Sequence, residues 1–121
     1  MKLLTVTVPC YNSQDYMEKC IESLLRGGER VEIIVIDDGS KDATGEIGDR
    51  YAAQYPNIVR VIHQENGGHG AGINAGLKAA NGKYFKVVDS DDEVSTDFVR
   101  FLDRLELCDQ QGGVDLFVTN Y

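Results

Sequence analysis

The sequence contains no tryptophan, only two prolines and only three cysteines. Because that cysteine count is odd and no pair among Cys10, Cys20 and Cys108 has metal-ligand spacing, we expect reduced thiols and a cytoplasmic location. The apolar stretch 3–9 is too short for a signal peptide and is interrupted by two threonines. No apolar run approaches the roughly 20 residues that span a bilayer. This leaves open a membrane association of a longer parent protein.

Positive charge is scarce as well. The sequence has 12 Lys and Arg residues against 20 Asp and Glu residues, and its formal net charge is −8. This balance argues against non-specific binding to nucleic acid or to an anionic membrane surface, since both need clustered basic side chains. We therefore expect no nucleic-acid partner. A ligand that carries phosphate would need a cation to offset the field of the protein.

Apolar runs alternate with amphipathic stretches along the 121 residues. They predict strands at 3–8, 31–36, 58–62, 84–88 and 116–121, and helices at 13–26, 44–54, 71–80 and 96–109. Pro9 is expected to end the first strand, and Ser13 is expected to cap the first helix. The alternation predicts a doubly wound α/β fold, with a mostly parallel sheet and helices on both faces. We expect one domain over residues 1–121, truncated at its C-terminal side because the chain ends in a hydrophobic strand.

The fourth predicted strand leads directly into the acidic run Asp89–Asp92. In an extended segment, residues two apart point to the same side, so Asp89 and Asp91 are predicted to converge while Asp92 points elsewhere. Carboxylates this close repel each other unless a cation lies between them. Mg²⁺ and Mn²⁺ accept carboxylate oxygens and keep positions open for phosphate. The run therefore predicts a metal-bridged phosphate site.

Two further strand ends carry polar residues, at 11–12 and at 37–40. In an open parallel sheet, the carboxyl ends of the strands share one edge, and ligands bind there. We therefore expect both segments to lie beside the acidic run.

Four segments occur in a characteristic order: Val8–Asn12, Ile34–Thr44, Asn74–Leu77 and Gly82–Asp92. Together they resemble the motifs of the family 2 glycosyltransferases, which have the GT-A fold. The resemblance implies that the chain is the Rossmann-like half that binds the nucleotide-sugar. It also implies inverting transfer of a sugar from a nucleotide-diphosphate donor, usually a UDP-sugar, to an acceptor hydroxyl. The acceptor, whether glycan, lipid carrier or protein, is not identified by these motifs.

The resemblance also implies roles for individual residues. Tyr11 corresponds to the residue that stacks on the nucleotide base, with Pro9 shaping its loop, and Asp38 to the carboxylate that accepts a hydrogen bond from the base. Asp91 corresponds to the direct ligand of Mg²⁺ or Mn²⁺. Asp89 is expected at the ribose or as a further group of the metal site. The other residues expected to bind the nucleotide-sugar are Asn12, Gly39, Asn74 and Ser90.

The sequence departs from the family pattern in two ways. Many members carry Arg before the Asn of the third-helix motif, where this chain has Ile73. If that Arg contacts the donor, then His69, Lys41 or Lys83 substitutes for it, or the contact is missing. The general base of inverting members lies well beyond the Asp-x-Asp motif, so we expect it downstream of Tyr121.

Two other functions remain open from the sequence. The segment Gly70–Ala75 fits the G-x-G-x-x-[G/A] fingerprint with an acidic residue, Asp89, about 20 residues further on, which predicts the NAD-binding domain of an oxidoreductase. Against this, residues 64–69 separate the glycines from the preceding strand. A non-catalytic association protein would keep the fold and use Phe117 and Tyr121 at an unpaired strand edge, giving an edge-to-edge homo-oligomer.

Overall fold

The computed structural model of the protein describes residues 2–110 and the backbone of residues 118–119. Its strands are β1 (Leu4–Cys10), β2 (Val31–Asp38), β3 (Val59–Gln64), β4 (Tyr84–Val87) and β5 (Val118–Thr119). Its helices are α1 (Met17–Leu25), α2 (Thr44–Gln54), α3 (His69–Ala79) and α4 (Phe98–Gln110), with a single 3₁₀ turn at Gly28–Arg30. The predicted alternation of strands and helices is confirmed.

The strands form one sheet in the order β3-β2-β1-β4-β5, and every pair is parallel. The chain builds outward from β1 to β3, and α3 then carries it across to β4 on the other side of β1. The strand order therefore reverses between β1 and β4. In open α/β sheets, the crevice at such a reversal, at the carboxyl ends of the strands, is where ligands bind.

Helices cover both faces of the sheet, as predicted. Buried side chains of α1, α2 and α4 form one apolar cluster with alternate residues of β1 and β2, including Val6 and Ile33. The opposite face carries α3, whose Gly72 and Gly76 approach Ile36 and Thr7 closely. Because β2 is buried along its whole length, its nearly continuous apolar sequence is that of a central parallel strand.

Pro9 does not end β1, which continues to Cys10. Thr7 directs its carbonyl oxygen toward β4, where it accepts a hydrogen bond from Val88 N at 3.0 Å. Pro9 lies two residues further and faces the same side, past the end of the pairing with β4. No hydrogen bond of the sheet is therefore lost when a residue without an N–H occupies this position.

Ser13 does not cap α1, which begins at Met17. The carbonyl oxygen of Ser13 instead accepts hydrogen bonds from the backbone N–H groups of Tyr16 and Met17, at 3.1 and 3.0 Å. The capping prediction is wrong because the buried hydroxyl of Ser13 is directed toward the loop after β4.

Part of the predicted C-terminal strand is described only as the backbone of β5, which pairs with β4 through Phe85 and Lys86. Phe117 and Tyr121, which were expected to mediate association, lie outside the described residues. Within the described part of the chain, no helix combines the length and the apolar character needed to cross a membrane.

Candidate functional site

Three loops meet at the carboxyl ends of β2, β1 and β4. We call residues 11–16, after β1, the tyrosine loop; residues 65–68, between β3 and α3, the glycine loop; and residues 88–97, after β4, the acidic loop. The site residues that were predicted after β1, after β2 and in the acidic run all lie at the carboxyl edge of the sheet. The prediction that these polar segments share one edge is confirmed by the parallel order of the strands.

Asp38, the last residue of β2, holds the glycine loop. Its Oδ1 accepts hydrogen bonds from Gln64 Nε2 and Gly67 N, and its Oδ2 accepts one from Gly68 N, each at 2.9 Å. The residue is 5% exposed. Burial raises the pKa of this carboxyl group, but the three hydrogen bonds outweigh burial and hold the pKa below its usual value. Asp38 is therefore ionised and shapes one wall of the site.

The next residue, Gly39, lets the glycine loop come close to the end of β2. Its φ is +71°, and a Cβ there would lie 2.7 Å from the backbone nitrogen of Asn66. Any side chain at this position would be strained and would push the loop away. Gly39, which was expected to bind the nucleotide-sugar, thus has a clear role in positioning the loop, while direct contact with a ligand stays a prediction.

A small cavity of about 180 Å³ lies between the tyrosine loop and the glycine loop. The Tyr11 ring stands at its mouth and is 49% exposed. An exposed aromatic ring beside a buried carboxylate offers a stacking face and a hydrogen-bond acceptor, which a nucleotide base needs. The lining residues are Pro9, Cys10, Tyr11, Asp38, Asn66, Gly68 and His69.

The acidic loop brings three carboxylates together at the end of β4. Asp89, Asp91 and Asp92 each offer an oxygen, these atoms all lie within 4.8 Å of one another, and all three residues are exposed. The prediction that Asp92 points elsewhere is wrong, because the segment is a turn and not an extended strand. Asp92 N donates a hydrogen bond to Asp89 O at 3.0 Å, which brings the first and fourth residues of the turn close together.

A second, more open cavity of about 420 Å³ adjoins the first. It shares the walls formed by Pro9, Tyr11 and His69 with the first cavity and extends to Asp89 and Asp91. The two cavities are therefore neighbours, the first lined by the buried Asp38 and the second by residues of the acidic turn. The further lining residues of the second cavity are Ser13, Tyr16 and Ser90.

His69, the first residue of α3, lies within the site and is therefore a candidate substitute for the missing Arg. Its Nε2 is 3.7 Å from Asp89 Oδ1, and it lines both cavities. Lys83 does not lie there, because it precedes β4 at the opposite edge of the sheet and pairs with Asp109. The suggestion that Lys83 replaces the Arg is therefore wrong, since the chain places it at the amino end of the strand.

Three predicted site residues do not line either cavity: Gly39, Asn74 and Asn12. Asn74 is an exposed residue in the middle of α3. Asn12 adopts a φ of +48°, its N–H donates to Ser40 Oγ at 3.0 Å, and its Oδ1 accepts from Lys41 N at 2.9 Å. Asn12 thus links the tyrosine loop to the loop after β2. Ligand contacts for Asn12 and Asn74 stay predictions.

Several residues support the site through hydrogen bonds that the sequence did not indicate. Thr44 accepts a hydrogen bond from Ser13 N at 2.7 Å, and Ser13 Oγ lies 2.8 Å from Ser90 Oγ. Asp42 accepts hydrogen bonds from Thr44 N at 2.9 Å and from Gln14 N at 3.3 Å. Apart from the local bond between Asp42 and Thr44, these bonds join residues 28 to 77 positions apart, so only the fold reveals them.

A larger cavity, of about 680 Å³, lies at the amino ends of the strands and does not coincide with this site. Its charged residues include Lys2, Arg30 and Asp109. Arg30 pairs there with Asp103 at 2.8 Å. We do not assign the functional site to this cavity, because ligands of open α/β sheets bind at the carboxyl ends of the strands.

The NAD fingerprint does not have the geometry that it requires. Gly70 and Gly72 lie inside α3, and four loop residues separate the start of this helix from the end of β3. β3 is also an edge strand of the sheet. Gly72 packs against Pro9 and Ile36, and so serves the contact between helix and sheet. In a dinucleotide-binding fold, these glycines would form the turn that follows the strand directly.

Comparison with known proteins identifies the family. The chain is 40% identical over 122 aligned positions to the glycosyltransferase GlyG of Streptococcus pneumoniae, an alignment that covers 99% of this chain and 39% of GlyG. The crystal structure of S. aureus TarS in complex with UDP matches with a TM-score of 0.76 and 31% identity, over 93% of this chain and 33% of that one. The mannosyltransferase PcManGT from Pyrobaculum calidifontis, in complex with GDP-Man and Mn²⁺, matches with a TM-score of 0.70 and 25% identity, over 78% of this chain and 29% of that one.

The chain spans 39% of the length of GlyG and about a third of the TarS chain. The sequence profile of the family described as glycosyl transferase family 2 matches residues 5–106, which extend from the second residue of β1 into α4. The chain therefore belongs to glycosyltransferase family 2.

Proposed function

We propose that this chain binds the nucleotide-diphospho-sugar donor of an inverting glycosyltransferase, across the two neighbouring cavities. The base occupies the smaller cavity, stacked on Tyr11 and hydrogen-bonded to Asp38. The diphosphate extends toward Asp89 and Asp91. The observation that carries this proposal is the shared wall of Pro9, Tyr11 and His69, which connects a cavity suited to a base with a cluster of carboxylates.

A divalent cation, Mg²⁺ or Mn²⁺, belongs to this proposal. Three carboxylate oxygens within 4.8 Å of one another form the oxygen-only set that hard cations prefer. Asp91 would hold the cation, with Asp89 as a second ligand or at the ribose, and the position of Asp92 makes it a third candidate. When bound, the cation supplies positive charge for the diphosphate that leaves as the sugar bond breaks.

We propose a uridine nucleotide as the base. TarS is described in complexes with UDP and with UDP-GlcNAc, whereas PcManGT is described with GDP-Man. TarS matches this chain at 31% identity over 93% of its length, whereas PcManGT matches at 25% identity over 78%, which supports a uridine over a guanosine nucleotide. The remaining acceptor on Asp38 Oδ2 is available to a base N–H, since this oxygen accepts one hydrogen bond, from Gly68.

We propose that the general base and the acceptor site lie beyond Tyr121, so that residues 1–121 are the part that binds the sugar donor. The carboxylates of α4 support this proposal, because Asp103 and Glu106 pair with Arg30 at 2.8 and 3.2 Å, at the opposite edge of the sheet. They cannot reach an acceptor hydroxyl at the acidic turn. A cytoplasmic location is proposed on the three free thiols.

Calorimetry with UDP tests this function. We expect UDP to bind more tightly when Mn²⁺ is present, and Asp91→Ala to abolish that increase because the cation loses its direct ligand. Tyr11→Ala should weaken UDP binding by about tenfold, as expected for loss of a stacking contact worth roughly 1–3 kcal/mol, while the effect of Mn²⁺ remains. Asp103→Ala is the matched control, since it removes a carboxylate at the opposite edge.

Two results would contradict the proposal. A wild-type chain that binds UDP neither with nor without Mn²⁺ has no functional site of the proposed kind. Binding of NADH that ignores the divalent cation would favour the oxidoreductase interpretation. Sedimentation at several protein concentrations tests the association alternative, for which a concentration-dependent homo-oligomer without UDP binding would be the expected result.

A further inference from the structure

A buried pair of hydroxyl groups joins the tyrosine loop to the acidic loop. Ser13 Oγ lies 2.8 Å from Ser90 Oγ, and the two residues are 1% and 8% exposed. Ser90 lies between Asp89 and Asp91 in the sequence, so its side chain fixes the turn from which these carboxylates extend. In the low dielectric of the interior, such a bond is stronger and more directional than in water.

The hydrogen-bonding capacity of Ser13 is fully used. Its Oγ accepts a hydrogen bond from Tyr11 N at 3.2 Å and donates one to Tyr11 O at 3.3 Å. A hydroxyl group has one proton and two lone pairs. All these contacts therefore coexist only when Ser90 donates to Ser13. The backbone of Tyr11 and the acidic turn therefore share one hydroxyl group.

The acidic loop is also held to α1, but at other points. Val94 N donates a hydrogen bond to Ser23 Oγ at 3.0 Å, and Cys20 Sγ contacts Asp89 O at 3.6 Å. These bonds fix the loop to a helix and do not reach the tyrosine loop. Among the hydrogen bonds of the described residues, the bond between Ser13 and Ser90 links the tyrosine loop to the side chains of the acidic turn.

We infer that Ser13 and Ser90 are positioning residues that couple cation binding at the acidic turn to base binding at Tyr11. This inference rests on the function proposed above. A cation that draws Asp89 and Asp91 together also fixes the intervening Ser90, and the bond to Ser13 then orders the backbone of Tyr11. Since coupling between two ligands is reciprocal, bound UDP tightens cation binding by the same factor.

The experiment compares the dissociation constants of UDP with and without Mn²⁺, measured by calorimetry for the wild-type chain and for variants. We define the Mn²⁺ ratio as the dissociation constant of UDP without Mn²⁺ divided by the constant with Mn²⁺. We expect Ser90→Ala and Ser13→Ala each to lower this ratio by about five- to tenfold, within the usual range of such coupling. The double variant should lower it no further, because both changes remove the same bond.

Ser23→Ala is the matched control. It also removes a buried hydroxyl that anchors the acidic loop, but at Val94 and not at the turn. A purely structural role for the serine pair predicts that Ser23→Ala and Ser90→Ala lower the melting temperature and the Mn²⁺ ratio alike. The coupling role predicts that Ser23→Ala lowers the melting temperature and keeps the ratio.

Several results would overturn the inference. One is a Mn²⁺ ratio in Ser90→Ala equal to that of the wild type. The others are a double variant in which the losses of the two single variants add, and a Ser23→Ala variant whose Mn²⁺ ratio falls as much as that of Ser90→Ala. If Ser13→Ala does not fold, Ser90→Ala and the control decide the question. A wild-type chain that binds UDP with no dependence on Mn²⁺ overturns the coupling and the proposed cation site, and leaves the proposed nucleotide binding. A wild-type chain without any UDP binding overturns the proposed function and the inference with it.

Discussion

The substitution Asp38→Asn separates two roles that one carboxylate can have at this site. The family resemblance assigns Asp38 to the nucleotide base, whereas the structure shows it accepting three hydrogen bonds from Gln64, Gly67 and Gly68. The amide that replaces the carboxylate has nearly the same shape but one acceptor oxygen fewer. We therefore expect the variant to lose stability as well as affinity for UDP.

The expected magnitude follows from the three hydrogen bonds. A bond to a charged acceptor contributes roughly 1.5–3 kcal/mol, about twice as much as a bond between neutral groups. The single oxygen of the new amide can accept from two of the three donors, and its NH₂ group then faces the third N–H. Loss of one charge-assisted bond and weakening of the other two predicts a loss of about 2–4 kcal/mol in the free energy of unfolding.

Urea unfolding followed by circular dichroism measures this loss, and calorimetry with UDP measures the effect on binding. Glu65→Gln is the matched control, because it makes the same change of charge at an exposed residue of the same loop. We expect the control to change stability by less than about 0.5 kcal/mol. If Asp38→Asn unfolded at the wild-type urea concentration while losing UDP affinity, the carboxylate would act on the base alone, and its role in holding the glycine loop would be refuted.

The same carboxylate predicts a dependence of stability on pH. Its pKa is lowered in the folded protein, since the three hydrogen bonds outweigh the effect of burial. Its stabilising contribution is therefore complete above the ordinary Asp value of about 3.9 and is lost as the pH falls through the lowered folded value. The difference in unfolding free energy between the wild type and Asp38→Asn should narrow below about pH 4.

Two further predictions concern packing and a histidine. Gly76→Ala should cost about 1–3 kcal/mol by overpacking, because its Cβ would lie 2.2 Å from Thr7 Oγ1, whereas Gly70→Ala in the same helix meets open space and should be neutral or stabilising; equal urea midpoints would contradict this. Hydrogen bonds to Asp37 and to a second carboxylate raise the pKa of His63, so its contribution is complete below about pH 6.5 and is lost as the pH rises through the folded value. His63→Gln should therefore cost more at pH 6 than at pH 8.5, by up to about 1 kcal/mol for this half-exposed pair, and a cost that does not vary with pH would contradict it.

The architecture was predictable from the sequence because its signals are local. Continuous apolar runs identify central parallel strands, and the bounds of α2 agree with the predicted 44–54. The alternation of strands and helices then determines which loops share an edge. The site could be located to this edge before any side-chain geometry was known, since it follows from the parallel direction of the strands.

The side-chain partners were not predictable, because they depend on residues far apart in the sequence. The partners of Asp38 lie at the end of β3 and in the glycine loop, 26 to 30 residues further along the chain. Ser13 carries the local pattern of a helix cap, yet its hydroxyl meets Ser90, 77 residues away. A tertiary hydrogen bond to a buried partner replaces a local capping bond here. The capping rule describes only the local alternative.

The error at Asp92 has a different origin. A rule for extended strands was applied to a segment that turns, and the two conformations place the third carboxylate on opposite sides. The hydrogen bond from Asp92 N to Asp89 O decides between them. Nothing in the composition of the acidic run distinguishes a strand end from a turn, since Asp and Ser are common in both settings.

The acidic side chains at the carboxyl edge of the sheet fall into two groups: those that hydrogen-bond to the protein's own backbone and those that are exposed to solvent. Asp38 and Asp42 accept hydrogen bonds from the protein's own N–H groups, and the pKa of each is lowered because those bonds outweigh the effect of burial. The acidic turn instead exposes Asp89, Asp91 and Asp92 with oxygens within 4.8 Å of one another, where their mutual repulsion destabilises the turn. In the proposed function, a cation bound between these carboxylates would offset their repulsion, and it would stabilise the folded chain by an amount that increases with its affinity. The carboxylates that serve the fold are thus separated from those that are left available to a ligand.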